Sequence, residues 1–292
     1  MENKFLLRNS ILVALLLIAS INNSYSQQLL TKGGPNKSFI DANWKLGVQM
    51  WTFRLFTQEE ALAKTETAGI TYIEAYPGQL LDNTSKEAFG FNMPAAERKK
   101  LKGLLQLRHI KIVAMGVISP ANREDWIKTF DLAKEFGLSY ITTEPIKTHW
   151  DLIDSLAGVY KIKIAIHEHP RPNVYWHPDS VLAAIKGHTN IGACADLGHW
   201  ARSGLNPVDC LKKLEGHIYG VHLKDITTFD KTNAADTLVG KGTIDFAPIF
   251  SELKRQNFKG MFSIEHESNW ENNLPDVIET LNFYNAQLKK LK

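Results

Sequence analysis

Short apolar runs that end in an acid or a histidine, each followed by an amphipathic segment, constrain this chain more than any other feature. The runs YITTE, IKIAIHEH, IGACAD, IYGVH and MFSIE carry Glu144, His167, His169, Asp196, His222 and Glu265 at or near their ends. A strand that ends in a charged group and leads into a helix is how a (β/α)8 barrel gathers chemistry at one mouth. So many carboxylates and imidazoles in one mouth would repel one another or titrate badly without a cation, which points to a bound divalent metal.

The same alternation runs through the rest of the chain. LGVQMW (46–51) reads as a first strand, and TQEEALAKTETAG (57–69) as a helix ending at a glycine cap. YIEAY (72–76) and IKIVAMGV (110–117) are strands two and three, and helices are predicted over 93–109 and 123–137. Later helices are expected over 149–161, 179–188, 206–217, 245–260 and 275–290. Eight strands alternating with eight helices predict an α/β (β/α)8 TIM barrel, a single domain over 44–292. An open doubly wound sheet would call for a Gly-rich dinucleotide fingerprint after strand one, and none is present.

The first residues read as a targeting segment. Lys4 and Arg8 precede the apolar run Ile11 to Ile21, and Ser24-Tyr25-Ser26 is a small-x-small cleavage site. The run is short for a membrane span. Residues 1–26 are therefore expected to be a signal peptide and 27–43 an N-terminal arm, which gives a periplasmic or secreted protein with no membrane role after cleavage. Removing 1–26 takes away Glu2, Lys4 and Arg8, leaving 32 basic against 30 acidic residues and a net charge of +2. That charge argues against nucleic acid as a partner. Cys194 and Cys210 are expected to stay unpaired, and homo-oligomerisation is left open.

Strand periodicity sorts the candidates by face. His167 and His169 share one face of strand five and Glu168 lies on the other, toward helices or solvent. His222 and Lys224 share a face, as do Glu265 and Glu267. Asp196 and His199 lie three apart in DLGH, within reach across a tight turn. Asp196 could simply cap the following helix, and Glu144 could simply pair with Lys147.

ADLGHW (195–200), VHLKD (221–225), VGKGTIDF (239–246) and SIEHE (263–267) resemble the xylose isomerase-like, or sugar phosphate isomerase/epimerase, superfamily of TIM barrels. The resemblance covers essentially the whole mature chain. It implies Mn, Mg, Co or Zn held by a Glu, an Asp, a His and a Glu on late strands, and Asp196, His222 and Glu265 match the last three. Epimerases of the superfamily carry a Glu on strand five where this chain has His167 or a neighbour, a departure that weighs against a simple ketose 3-epimerase. Glu144 is taken as the fourth ligand, with His167 or His169 as a further ligand or a substrate contact.

The chemistry of the residues agrees with that implication. Glu144, Asp196, His222 and Glu265 form an oxygen-rich set with one imidazole, suited to Mn²⁺ first, with Mg²⁺, Co²⁺ and Zn²⁺ also admitted. Such a cation would chelate a sugar carbonyl and an adjacent hydroxyl and stabilise an enediolate. Glu267, His199 and His169 are candidate bases, and Lys224, its pKa expected to be lowered by burial, a stabiliser of the oxyanion. Trp51, Glu74, His167 and Trp200 are candidate substrate contacts, with Glu74 alternatively a base or a buried hydrogen-bond acceptor. Trp51, Phe53, Trp150, Trp176 and Trp200 all fall on the catalytic side, where two or three of the five are expected to pack loop on loop.

These readings give an exported metal-dependent isomerase or epimerase acting on a small carbohydrate by proton abstraction next to a carbonyl. A lyase that cleaves 3-keto-glycosides by β-elimination is the closest alternative, and a periplasmic sugar-binding protein without catalysis is the alternative of another class. An abasic-site endonuclease, which shares the barrel, would need more histidine ligands and a basic DNA face. Gly240-Lys241-Gly242 is the one candidate for an anion cradle.

Overall fold

A computed structural model describes residues 44–291. The signal peptide and N-terminal arm assigned to 1–43 lie outside the described residues. Strands β1 (Lys45–Gln49), β2 (Tyr72–Ala75), β3 (Lys111–Met115), β4 (Tyr140–Thr143), β5 (Lys163–His167), β6 (Ile191–Asp196), β7 (Ile218–Leu223) and β10 (Met261–Ile264) close into a parallel barrel in that order around the ring. Between β7 and β10 the chain makes a small antiparallel pair, β8 (Asp225–Ile226) and β9 (Asp236–Thr237).

Helices α1 (Gln58–Thr67), α2 (Ala95–Leu107), α3 (Arg123–Phe136), α4 (Trp150–Tyr160) and α5 (Pro178–Ile185) follow the first five strands. They are succeeded by α6 (Leu197–Arg202), α7 (Pro207–Lys213), α8 (Phe246–Arg255) and α9 (Leu274–Leu288). Local sequence explains their ends. Thr57 and Glu60 form a capping box at the start of α1. Asn122 caps α3, and Gly137 ends it in the left-handed conformation that glycine adopts without strain.

Strands buried on both faces, such as IGACAD, read as continuous apolar runs because one face meets helices and the other fills the lumen. Below the mouth the lumen is plugged by Val113, Ala114, Tyr140, Ala165, Cys194 and Met261, all buried. A two-residue step up each strand reaches polar chemistry. Tyr140 leads to Thr142, Ala165 to His167, Cys194 to Asp196, Gly220 to His222 and Met261 to Ser263 and Glu265. Register then brings these columns together, with His222 beside Asp196 on one flank and Ser263 on the other.

Candidate metal centre

Four buried side chains converge at the top of the lumen. One donor atom from each of His167, Asp196, His222 and Glu265 lies within 4.8 Å of the other three. His222 Nδ1 is 3.0 Å from Glu265 Oε2 and 3.6 Å from Asp196 Oδ2, and His167 Nε2 is 3.4 Å from Asp196 Oδ2. Asp196 serves two ends. Its Oδ1 accepts the backbone N–H of His199 at 2.8 Å and caps α6, while Oδ2 faces the cluster.

Three of the four residues assigned to the metal from sequence thus meet, and the fourth, Glu144, stands one layer out. Glu144 Oε1 accepts from His167 Nδ1 at 3.2 Å and also contacts His169 Nδ1, and its Oε2 accepts from Asn173 Nδ2 at 2.9 Å. His167 therefore takes the innermost place that the sequence reading gave to Glu144. On the other side, Glu74 Oε2 accepts from His222 Nε2 at 3.0 Å and from Ser263 Oγ at 2.8 Å, while its Oε1 accepts from Thr142 Oγ1 at 2.6 Å. Each inner imidazole thus gives one N–H to a carboxylate behind it and turns its other nitrogen to the cluster, the arrangement that orients metal-binding histidines.

Two atoms test whether this set fits a cation. His167 Nε2 and Asp196 Oδ2 are fully buried and make no well-aligned hydrogen bond among the described residues, only ion-pair contacts, with each other at 3.4 Å and from Asp196 Oδ2 to Lys224 Nζ at 3.5 Å. Buried polar atoms held this loosely are costly, and these two face the same point. Two imidazoles and two carboxylates around that point match Zn²⁺, Mn²⁺ or Co²⁺ better than Mg²⁺, which prefers oxygen.

The electrostatics show the same demand for positive charge. Burial alone would lower His167, but the Asp196 and Glu144 carboxylates outweigh it and push the ring up to about 9. His222 is likewise raised despite burial, by Cys194, Glu74 and Glu265. Burial would raise Glu265, yet Lys224 and His222 hold it down at about 2.

Lys224 departs from expectation. Burial does pull it down, but Asp196, Glu265 and Glu267 raise it well above the ordinary lysine value. Its Nζ lies 3.0 Å from Glu265, 3.1 Å from Glu267 and 3.5 Å from Asp196, so it stays an ammonium that partly fills the need for a cation. Its stem runs tightly past α6, where a Cβ on Gly198 would come 2.5 Å from Lys224 Cγ.

His199 is buried beside this ammonium. Burial lowers its pKa, and although Asp196 opposes this, Lys224 helps keep the ring neutral. Arg202 Nη1 lies 3.0 Å from its Nδ1 and the Lys224 ammonium 3.2 Å from its Nε2, so each ring nitrogen faces a cation. Arg202 also pairs with Asp236 of β9, whose other oxygen accepts the backbone N–H of Glu267 at 2.9 Å. Arg202 and Asp236 escaped the sequence reading because their pairing depends on the β8–β9 excursion.

Above the cluster opens a cavity of about 470 Å³, lined in part by Trp51, Tyr76, His167, His169, Glu265 and Glu267. Of the expected substrate contacts, Trp51 and His167 reach it. Glu74 lies beneath His222, fully buried, in the role of hydrogen-bond acceptor. Trp200 and Phe53 are in the hydrophobic core. Trp150 donates its indole N–H to Tyr175, and Trp176 packs on His177. Trp270 and Tyr76, which do line the cavity, were not singled out from sequence, although both follow strands whose ends carry charged groups.

Two further expectations are settled by partners. Glu168 faces the helix layer and is buried, its Oε2 accepting from the Asp196 backbone N–H at 3.2 Å. The amides of Gly240 and Gly242 donate to Asp225 Oδ2 at 3.0 and 2.9 Å, so this loop cradles an anion of its own chain. A Cβ on Gly242 would meet that carboxylate at 2.3 Å. Cys194 and Cys210 are free and buried.

A model of the xylose isomerase-like TIM barrel family matches residues 62–286. The chain belongs to that family. Among curated members, inosose dehydratase of Clostridium botulinum (strain Eklund 17B / Type B) is 33% identical over 130 residues, covering 39% of this chain and 44% of the relative. Inosose dehydratase of Clostridium beijerinckii is 30% identical over 149 residues, 45% and 50% of the two chains. The xylose isomerase-like chain described here thus spans half or less of these curated relatives.

Solved structures cover more. An uncharacterized protein from Parabacteroides distasonis ATCC 8503 superposes with a TM-score of 0.68 at 36% identity, over 83% of this chain and 98% of that one. A D-tagatose 3-epimerase-like protein gives 0.69 at 18% identity, over 85% and 98%. The IolI protein, solved with a zinc atom bound, gives 0.67 at 20%, over 85% and 99%. The last two likenesses are of fold.

Proposed function

We propose that the protein is a metal-dependent enzyme that removes the proton next to the carbonyl of an oxidised sugar or cyclitol, with β-elimination as the outcome. The observation that carries this is the convergence of four buried donor atoms, from His167, Asp196, His222 and Glu265, within 4.8 Å of one another on the floor of an open cavity, with His167 Nε2 and Asp196 Oδ2 making no well-aligned hydrogen bond. His167, Asp196, His222 and Glu265 would hold the ion, and Glu144 and Glu74 would orient the two rings from behind. When bound, the ion supplies Lewis acidity to a carbonyl oxygen and so acidifies the adjacent C–H.

The chain's own groups divide the remaining work. His169 lines the cavity with its Nδ1 against Glu144, which leaves Nε2 free to take a proton. Glu267, which also lines the cavity and pairs with Lys224 at 3.1 Å, is the second candidate base. The Lys224 ammonium is a donor to an oxygen that gains charge and can return a proton to a departing oxygen, and His199 lies against that ammonium at 3.2 Å.

Elimination is favoured over epimerisation by symmetry. Epimerisation lifts a proton from one face of a carbon and returns one to the other, so it needs an acid–base group on each face. Here the strand-five position is an imidazole tied to Glu144 from behind, and the remaining groups are a mixed set of carboxylate, imidazole and ammonium. Such a set suits a base at the acidic C–H and the Lys224 ammonium as acid at a departing oxygen, the pairing that elimination needs. The name of the inosose dehydratase relatives is consistent with loss of a group beside a ketone. Export, resting on residues 1–26, belongs to this proposal.

The test is direct. Protein loaded in turn with Mn²⁺, Co²⁺, Zn²⁺ and Mg²⁺ is incubated in D₂O with ketoses, inososes and 3-keto-glycosides and followed by NMR. Loss of a β-substituent is expected in wild type, and Asp196→Ala should lose both the metal and the reaction. Solvent deuterium entering without bond cleavage would instead give epimerisation or isomerisation. Sugar affinity without either, unchanged in Asp196→Ala, would make this a binding protein.

A further inference from the structure

The rim of the cavity carries a cation that the chemistry above does not use. Arg54 follows the turn Met50–Phe53 and lines the cavity. Its guanidinium carbon sits 3.7 Å from the ring centre of Trp270 and 4.4 Å from that of Trp51. Trp51 is in turn braced edge-on by Tyr76 at 4.7 Å. A guanidinium stacked on indoles keeps its N–H fork free at its edge, and the stacking has already fixed the side chain.

No side chain or carbonyl among the described residues accepts from that fork, and none accepts from the indole N–H of Trp51 or Trp270. The acids of the cavity are engaged elsewhere, Glu265 with His222 and Lys224 and Glu267 with Lys224. Gln49 is spent as well, donating to the Gly116 carbonyl and accepting from the Trp51 amide. At the rim Arg54 and the two indoles thus present unused donors and one positive charge, while the floor gathers the carboxylates. Such polarity suits a ligand that presents a carbonyl and hydroxyls below and an acceptor-rich group above.

We infer that Arg54 reads an anionic group on the substrate, a carboxylate or a phosphate or sulfate ester, at the end of the sugar remote from the four-residue cluster. The substrate is then a sugar acid or an acidic sugar ester. This rests on the cavity being a sugar site, and it narrows the class that the site accepts. A planar fork meets such a group with two parallel charge-assisted hydrogen bonds, which a neutral hydroxymethyl group cannot supply.

The experiment compares glucose, glucuronate and glucose 6-phosphate by calorimetric titration of Mn²⁺-loaded wild type, Arg54→Lys and Arg54→Gln, with metal content measured on every sample. At least one anionic sugar should bind wild type about tenfold or more tighter than glucose. Arg54→Gln should lose that advantage, and Arg54→Lys should keep a minor part of it. Which anion prefers wild type tells carboxylate from phosphate. No anionic preference in wild type overturns the inference, and so does a preference that survives in Arg54→Gln, since the metal cluster would then be its source. Wild type that binds no metal yet prefers an anion through Arg54 would sink the metal reading and leave this one standing.

Discussion

The two histidines of the cluster are held in opposite ways. His222 is braced from inside the barrel by Glu74, which is wholly buried and takes hydrogen bonds from Thr142 and Ser263 as well. His167 is braced from the solvent side by Glu144, whose side chain is 17% exposed and shared with His169 and Asn173. Burial would raise Glu74, and His222, Thr142 and Ser263 together hold it ionised. Burial would also raise Glu144, and His167 and His169 hold it far down. One support belongs to the core of the fold and the other to the wall of the cavity. The inner support is therefore a condition of folding, whereas the outer one can tune the site and its exchange with solvent.

The largest effect should come from breaking the inner support. Glu74→Ala leaves the His222 ring, Thr142 and Ser263 without an acceptor in a sealed space, at a cost of about 3–5 kcal/mol. Urea denaturation should register it, and metal affinity should fall more than about 100-fold. Glu144→Ala opens the outer support to water instead. Metal affinity should fall about 10–100-fold with a far smaller loss of stability. Equal stability losses in the two variants would erase the distinction between the supports.

The same contrast explains how much could be read in advance. The barrel was legible because its eight strands are short apolar runs and most of the helices between them are amphipathic. Asp196, His222 and Glu265 were legible because each ends such a run. Their meeting follows from two-residue periodicity and parallel register, which are local rules. Glu144 and His167 exchanged layers because the sequence shows that both end strands but not how far each reaches into the lumen. Glu74 looked like a substrate contact for a similar reason: it sits at the end of β2, yet lies beneath His222. Arg202 and Asp236 were invisible since a two-residue strand has no periodicity to read. The short helix α6 was hidden by its own cap, Asp196, which also serves the cluster.

Acidity offers a finer probe of the outer histidine. Without metal, His167 keeps its proton up to about 9 because Asp196 and Glu144 overcome the effect of burial. A cation needs both inner imidazoles bare on the cluster side, and His222 is raised as well, so metal affinity should rise by about tenfold or more per pH unit between pH 7 and 8 and flatten only above about 9. For the metal-free protein the sign is reversed. A raised value stabilises fully below the unfolded value near 6.5 and is lost as pH climbs through about 9. Chelator-treated protein should therefore lose Tm across that window, while metal-loaded protein holds it. A metal affinity flat from pH 7 to 9 would mean that His167 is not a ligand.

The smallest effect tests whether the outer support is itself supported. Asn173 gives Glu144 Oε2 a single hydrogen bond of 2.9 Å from the loop after β5. Its side-chain carbonyl also accepts the Tyr175 amide at 2.8 Å and so ties that loop together. Asn173→Ala removes one neutral donor to a carboxylate that water can partly reach, so about 0.5–1.5 kcal/mol is at stake. Metal affinity measured by competition with a chromophoric chelator should weaken by a few-fold, up to about tenfold. Asn173→Asp should do worse, because a second carboxylate would face Glu144 and push its charge away from His167. If both variants bind metal as wild type does, Glu144 is fixed by the two histidines alone, and the outer support is as self-sufficient as the inner one.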